Sequence, residues 1–313
     1  MARRKKGQPI HGWVVLDKPS GMTSTQAVAA VRRIFDAKKA GHAGTLDPLA
    51  TGILAIALGE ATKTVPFVQD STKCYRFTAR WGEARDTDDS EGKVTGTCDV
   101  RPAQAQIEAM LPRFTGSLSQ VPPAYSAIKV DGMRAYDLAR DGEEVTLESR
   151  PVDVFEARLL AAGPDQAEFE ILCGKGTYVR SWVRDIALAL GSLGHVTALR
   201  RTALGPFAEK DATALDTLTP FMHSPAAFAY LKPLSTALDG IPALAVSGSD
   251  TVRLRSGNPI LIRANLFARL KEGMSGEDGL AGQTVFLTDE RDAPVALAEI
   301  AEGELRPFRV FQL

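Results

Sequence analysis

Residues 41–54 read Gly41-His42-Ala43-Gly44-Thr45-Leu46-Asp47-Pro48-Leu49-Ala50-Thr51-Gly52-Ile53-Leu54. One carboxylate, Asp47, stands in a glycine-punctuated segment beside an imidazole. Pro48 disfavours the α region at Asp47, so an extended conformation is expected there. The glycines permit tight turns and close approach of backbone to a ligand. The apolar run Ile53 to Leu58 reads as a buried strand. The expected picture is an acid on a loop, anchored on its C-terminal side by core. Loops held by rigid scaffolds are where reactive groups gather. Leu-Asp-Pro alone is also an ordinary turn sequence, so the motif must be read in its surroundings.

On the N-terminal side, His11 to Leu16 reads as a strand running into the turn cluster Asp17-Lys18-Pro19-Ser20-Gly21. A helix is expected from Thr23 or Ser24, both good N-caps, with Ala27, Val28, Val31, Ile34 and Phe35 on its apolar face. On the C-terminal side, Cys74 to Trp81 alternates like a strand. The acidic stretch 85–100 reads as a loop or lid, and a helix is expected at about 103–114. Val121-Pro122-Pro123-Ala124-Tyr125-Ser126 fits neither a regular helix nor a central strand. Residues 126–150 read as a surface insertion with a short helix around Tyr136 to Ala139. Ala167 to Cys173 is a strand candidate. Thr177 can cap a helix running to Leu190 and stopped by Gly191, with Arg180 and Arg184 on a face away from its apolar stripe. Gly194 to Leu204 reads as a further strand. Prolines 220, 225 and 233 mark a linker. Short apolar runs then follow at 243–246, 259–262, 284–287, 295–300 and 308–311, a spacing that suggests a small β-barrel.

The 313 residues, 44% hydrophobic and 24% charged, are those of a soluble globular protein with room for two domains. Cys74, Cys98 and Cys173 have no metal-site spacing and read as reduced thiols, pointing to a cytoplasmic protein. The basic start is not followed by a long apolar segment, so neither a signal peptide nor a membrane span is expected. The net charge of −1 conceals an asymmetry. Residues 1–80 hold 13 Lys and Arg against 5 Asp and Glu, and a second basic cluster (Lys175, Arg180, Arg184, Arg200, Arg201) lies at 175–201. The basic excess thus falls in the segments that carry the motifs, where a polyanion would meet it.

If Asp47 is a nucleophile, it must be ionised near neutral pH, and burial works against that. An arginine partner solves the problem because it stays charged and can hold a carboxylate in a fork; Arg180 is the candidate. Glycoside hydrolysis would ask for a second carboxylate, which Asp86 or Asp88 could supply. A single carboxylate fits a reaction that detaches a base and reattaches it without consuming water. Tyr75 and Tyr178 stand at element starts beside basic residues, where unpaired bases can stack, although core packing is the simpler role for each. His42 is either a turn residue or a member of the site.

The string around Asp47 closely resembles the catalytic motif of the TruB family of tRNA pseudouridine synthases. The resemblance extends to Leu16-Asp17-Lys18-Pro19-Ser20-Gly21-Met22-Thr23-Ser24, to Lys73-Cys74-Tyr75, to Lys175-Gly176-Thr177-Tyr178-Val179-Arg180-Ser181 and to Val121–Lys129, in the family's order. It implies an α+β fold with a mixed or antiparallel central sheet flanked by helices over residues 1–235. That region would include an RNA-gripping insertion at about 124–152, and a PUA-like RNA-binding barrel would occupy 240–313. It further implies isomerisation of uridine 55 in the T loop of tRNA by base flipping, with Asp47 as nucleophile, Tyr75 stacked on the target base and Arg180 paired with Asp47. His42 would sit within the opened T loop, Tyr178 and Leu199 would wall the pocket, and Lys18 would join the substrate-binding set as support for the catalytic loop. No metal or organic cofactor is implied, no protein partner is needed, and nothing demands more than a monomer. Two other readings stay open: a non-catalytic RNA-binding or RNA-folding protein on the same scaffold, and a guide-RNA-dependent relative. The second of these would be expected to lack the insertion.

Overall fold

The computed structural model describes residues 7–313 apart from 127, 131, 141–145, 264–265, 268–269 and 271–280. The basic start and part of the expected insertion therefore lie outside the described residues. The first elements are β1 (Gly12–Lys18), α1 (Ser24–Ile34), β2 (Ala40–His42), β3 (Thr51–Leu58), α2 (Val65–Asp70), β4 (Lys73–Trp81), β5 (Glu83–Arg85) and β6 (Val94–Thr97). Next come α3 (Gln104–Met110), β7 (Gly116–Gln120), β8 (Lys129–Val130), β9 (Met133–Arg134), α4 (Ala135–Arg140), β10 (Arg150–Ala162), β11 (Gln166–Cys173) and α5 (Val179–Ala189). β12 (Gly194–Leu204), β13 (Phe207–Ala208), β14 (Thr213–Ala214) and α6 (Leu215–Leu218) follow. The C-terminal part holds β15 (Ala243–Ala245), α7 (Gly248–Arg255), β16 (Ile260–Leu261), β17 (Thr284–Thr288), β18 (Pro294–Ala301) and β19 (Glu304–Val310).

The main sheet has ten strands in the order β14-β1-β3-β12-β4-β11-β10-β7, with β2 beside β3 and β13 beside β12. It is mixed: β12 runs parallel to β3 and antiparallel to β4. This is the α+β architecture expected. β3 is a continuous apolar run because both of its faces are covered. Leu54, Ile56 and Leu58 enter one core, and Ile53, Ala55 and Ala57 enter the other. On β4 the alternation is clean: Lys73, Tyr75, Phe77, Ala79 and Trp81 are buried, and the residues between them are less so. α1 begins with a capping box, Thr23 Oγ1 accepting from the Gln26 N–H while Gln26 Oε1 accepts from the Thr23 N–H. Its buried Ala27, Val31 and Ile34 face the first core, and full burial of each large aliphatic contributes about 1.5–3 kcal/mol.

The second sheet has five strands in the order β15-β17-β18-β19-β16 and curls into a half-barrel of PUA-like form. It is not detached. Phe286, Leu297 and Phe311 share a core cluster with Trp13 and Val15 of the main sheet, and Lys63 Nζ donates to the Val310 carbonyl at 2.7 Å.

Several elements differ from the expectation. β10, 13 residues long, was not anticipated; its pairing with β11 carries two register shifts, which break the period-2 pattern a strand normally shows. The 85–100 stretch is a β5–β6 ribbon whose acidic residues form the tip. The expected linker at 220–235 is packed on the main sheet: Ala227 and Leu234 are buried, and Lys232 exchanges backbone hydrogen bonds with Trp13. Thr177 does not cap α5; its hydroxyl donates to the Gly174 carbonyl and Tyr178 takes the cap position. Among the described residues, no helix is long and apolar enough to cross a membrane.

Candidate active site

The loop bearing Asp47 is held from beneath by the turn that follows β1. Lys18 is fully buried, and its ammonium donates to the carbonyls of Pro19 (2.8 Å), Met22 (2.7 Å) and Pro48 (3.3 Å). The Gly21 N–H donates to the Pro48 carbonyl at 2.8 Å, and the Ser20 hydroxyl to that of Leu49 at 3.2 Å. The Ser24 hydroxyl accepts from the Leu46 N–H at 2.8 Å and donates to the Leu46 carbonyl at 2.9 Å. Each partner satisfies a backbone group that an irregular loop would otherwise leave bare. Lys18, expected among the substrate-binding residues, therefore does not line the cleft. It supports the loop, because the three donors on one ammonium meet three backbone carbonyls. Burial pushes its amine down to about 8, with the Asp47 carboxylate opposing that shift.

Arg180 reaches the site from the first turn of α5. That turn is fixed on two sides. The Gln120 side chain takes both the N–H and the carbonyl of Tyr178, at 2.8 and 3.1 Å. Trp182 packs edge-on against Phe77 and Phe169, with centroids at 5.5 and 5.3 Å, and its indole N–H donates to the Phe114 carbonyl at 3.1 Å. Arg180 is only 4% exposed. Its Nε lies 2.9 Å from Asp47 Oδ2, and its two Nη groups donate to the carbonyls of Thr87 (2.8 Å) and Tyr125 (2.9 Å). The Asp47 side chain keeps 35% of its surface open.

Both side chains line a cleft of ≈ 1220 Å³, whose walls include His42, Tyr75, Tyr178 and Leu199. This is larger than the roughly 300–1,000 Å³ of a small-molecule pocket. The structure thus brings together six of the seven residues singled out in the sequence, Lys18 being the one beneath. Burial raises the phenols of Tyr75 and Tyr178. Burial, then the Arg201 guanidinium, pushes the His42 imidazole down, which leaves it neutral near pH 7.

Known proteins are similar to this chain. A family model described as the TruB family pseudouridylate synthase N-terminal domain matches residues 32–179, and one described as the tRNA pseudouridylate synthase B C-terminal domain matches 180–239. Proteins named tRNA pseudouridine synthase B are similar along the whole chain. The one from Caulobacter vibrioides is 53% identical, covering 100% of both chains. That from Bradyrhizobium diazoefficiens is 53% identical, covering 99% of this chain and 88% of its own. The chain belongs to the TruB family. Among solved structures, a chain of an H/ACA RNP bound to a substrate RNA containing 2′-deoxyuridine aligns over 100% of this TruB family member and 92% of itself, with a TM-score of 0.73 at 22% identity. An archaeal box H/ACA sRNP Nop10–Cbf5 complex gives 0.71 at 23%, covering 100% and 93%. At that identity the likeness speaks for the fold.

The acidic tip of the β5–β6 ribbon closes over Arg180 in this TruB member. Asp86 and Asp88, the sequence's candidates for a second carboxylate, are otherwise engaged. Asp86 Oδ1 accepts the Lys93 N–H at 2.8 Å, and Asp88 Oδ2 lies 2.9 Å from Arg184 Nη1. Burial raises the Asp88 carboxyl to about 6 in spite of that arginine. The carboxylate beside the centre is Asp89, buried, with Oδ2 3.6 Å from Arg180 Nε. Its Oδ1 is occupied by the Thr87 hydroxyl (2.6 Å) and the Glu91 N–H (3.0 Å). Asp89 therefore balances charge and is not placed to activate water. Arg180 and Arg184 do share a face, and that face meets this tip. Sequence reasoning missed Asp89, Gln120 and Arg201. For Arg201 a signal existed: it adjoins Arg200 on a strand, so one of the two must turn inward. Among the described residues, no cluster of His, Cys, Asp and Glu could hold a metal ion.

Proposed function

We propose that this chain isomerises uridine to pseudouridine in tRNA, at position 55 of the T loop, with Asp47 as the nucleophile. The observation that carries the reading is the Asp47–Arg180 pair: a carboxylate open to a cleft on one side and fixed by a buried guanidinium on the other. The uridine leaves its stack and enters the cleft, as a base must if chemistry is to reach it. Asp47 forms a covalent bond to the nucleotide while the N1–C1′ bond is broken. The detached base turns, a C5–C1′ bond forms, the bond to Asp47 breaks to return the free carboxylate, C5 loses a proton and N1 gains one. No water is consumed, so the reaction asks for one nucleophilic carboxylate and not the pair that glycoside hydrolysis uses.

Tyr75 stacks on the base, Tyr178 and Leu199 wall the pocket, and His42, kept neutral, packs within the splayed loop. Residues 1–235 form the catalytic domain, 124–152 grip the RNA, and 240–313 add an RNA-binding domain. The chain acts as a monomer in the cytoplasm on the T-arm stem-loop, recognised mainly by shape. Incubating the purified chain alone with a bare T-arm stem-loop and mapping pseudouridine tests this. One pseudouridine at the T-loop position is expected; RNA with no pseudouridine would overturn the assignment in favour of an RNA-binding or guide-dependent role.

A further inference from the structure

We propose that Arg201 is a positioning residue for Tyr75: its guanidinium holds the phenol oxygen and lowers the cost of negative charge on it. The proposal rests on the site reading above and deepens it. Arg201 is 1% exposed. Its Nε donates to the Ile53 carbonyl at 2.7 Å and one Nη to the Gly44 carbonyl at 3.1 Å, while the other Nη lies 3.5 Å from the Tyr75 hydroxyl oxygen. Among the described residues, none of these partners is a carboxylate. Arg200, its neighbour, has two: Asp17 at 2.9 Å and Glu209 at 2.5 Å. Burying a cation without a counterion is costly, and its field is then not cancelled locally.

The placement is enforced by the backbone. Antiparallel register sets Arg201 opposite Tyr75 on β4, and parallel pairing sets it beside Gly52 on β3. Gly52 has φ +93°, and a Cβ there would lie 2.3 Å from the Arg201 carbonyl oxygen, so only glycine lets β12 approach so closely. The guanidinium thereby reaches the cleft wall from inside the sheet. Burial pushes the Tyr75 phenol up, and the Arg201 charge is the foremost influence opposing that rise. The same charge keeps protons off His42. One cation thus favours a neutral imidazole and stabilises negative charge on the phenol oxygen in the same cleft.

The test is a double-mutant cycle in the full-length chain. Arg201→Met and Arg201→Lys are each combined with Tyr75→Phe, and the single-turnover rate and Kd are measured on a T-arm stem-loop. Arg201→Met is expected to slow bound-complex turnover about 10- to 100-fold, the scale of one hydrogen bond to a charged group, with Kd within about threefold. Arg201→Lys should restore part of the rate. In the Tyr75→Phe background the effect of Arg201→Met should shrink towards unity. In ¹³C-tyrosine NMR, the Tyr75 signal, assigned by its loss in Tyr75→Phe, should titrate at higher pH in Arg201→Lys and higher still in Arg201→Met. An equal loss in both backgrounds, weakened binding at unchanged rate, or an unmoved Tyr75 titration would overturn the proposal. Should Arg201→Met fail to fold, the lysine variant carries the same cycle. An active Asp47→Asn control would instead sink the underlying site reading.

Discussion

Replacing Arg180 by methionine keeps most of the side-chain volume and removes the charge. In the parent, the guanidinium meets Asp47 at 2.9 Å, Asp89 at 3.6 Å and the carbonyls of Thr87 and Tyr125 at 2.8 and 2.9 Å. The variant leaves the Asp47 carboxylate with water on its open side, but the Asp89 side chain is 4% exposed and loses its adjacent cation. Stranding one member of a buried ion pair costs about 3–5 kcal/mol, and each carbonyl left without its donor about 1 kcal/mol. The bonds from Thr87 and Glu91 to Asp89 offset part of this. The expected net loss is about 3–4 kcal/mol, which displaces a urea-unfolding midpoint by about 1 M at an m-value of roughly 3 kcal/mol/M. Turnover on a T-arm stem-loop should fall at least about 10²-fold, the scale of removing one preorganised charge partner. A variant within about 0.5 kcal/mol of the parent would place Arg180 with ordinary surface residues and refute the buried-clamp argument. Full destabilisation with undiminished turnover would refute its partnership with Asp47.

Three further outcomes follow from the same geometry. The Lys18 amine titrates near 8 in the folded chain against 10.5 free, so the unfolded chain binds more protons between those values and stability rises with pH there. The parent should gain up to about 3 kcal/mol over Lys18→Met between pH 8 and 10.5, and a flat difference in urea unfolding would contradict this. The Asp88 carboxyl has the opposite sense for an acid, raised from 3.8 to about 6. The folded chain holds the extra proton, and the parent should lose up to about 3 kcal/mol relative to Asp88→Asn as pH rises from 4 to 6, measured the same way. Gly52→Ala forces a side chain onto φ +93° and to 2.3 Å from the Arg201 carbonyl; it should cost at least about 3 kcal/mol, seen as a lower thermal midpoint, and a neutral result would refute the tight β3–β12 approach.

Much of the site could be read in the chain because its parts are short-range. The Asp47 loop, the α1 cap at Thr23 and the apolar run of β3 each sit within a few residues of the feature that explains them. The long-range features were hidden. Asp89 was one acid among several until the β5–β6 ribbon folded it onto Arg180. Arg201 was part of a charge cluster until the alternation of β12 separated it from Arg200. Lys18 was grouped with the substrate-binding residues as support for the catalytic loop, and the support is what the structure shows: the carbonyls of Pro19, Met22 and Pro48 claim all of its donors. β10 escaped because register shifts disturb its alternation, and the 220–235 stretch read as a linker because its prolines mark turns, not exposure.

The most direct measurement is single-turnover isomerisation of a T-arm stem-loop by Asp47→Asn beside the parent chain. Asparagine preserves shape and removes the negative charge that faces Arg180. The account predicts pseudouridine formation reduced more than about 10³-fold, with stem-loop affinity within about threefold. Pseudouridine formed at close to the parent rate would contradict it.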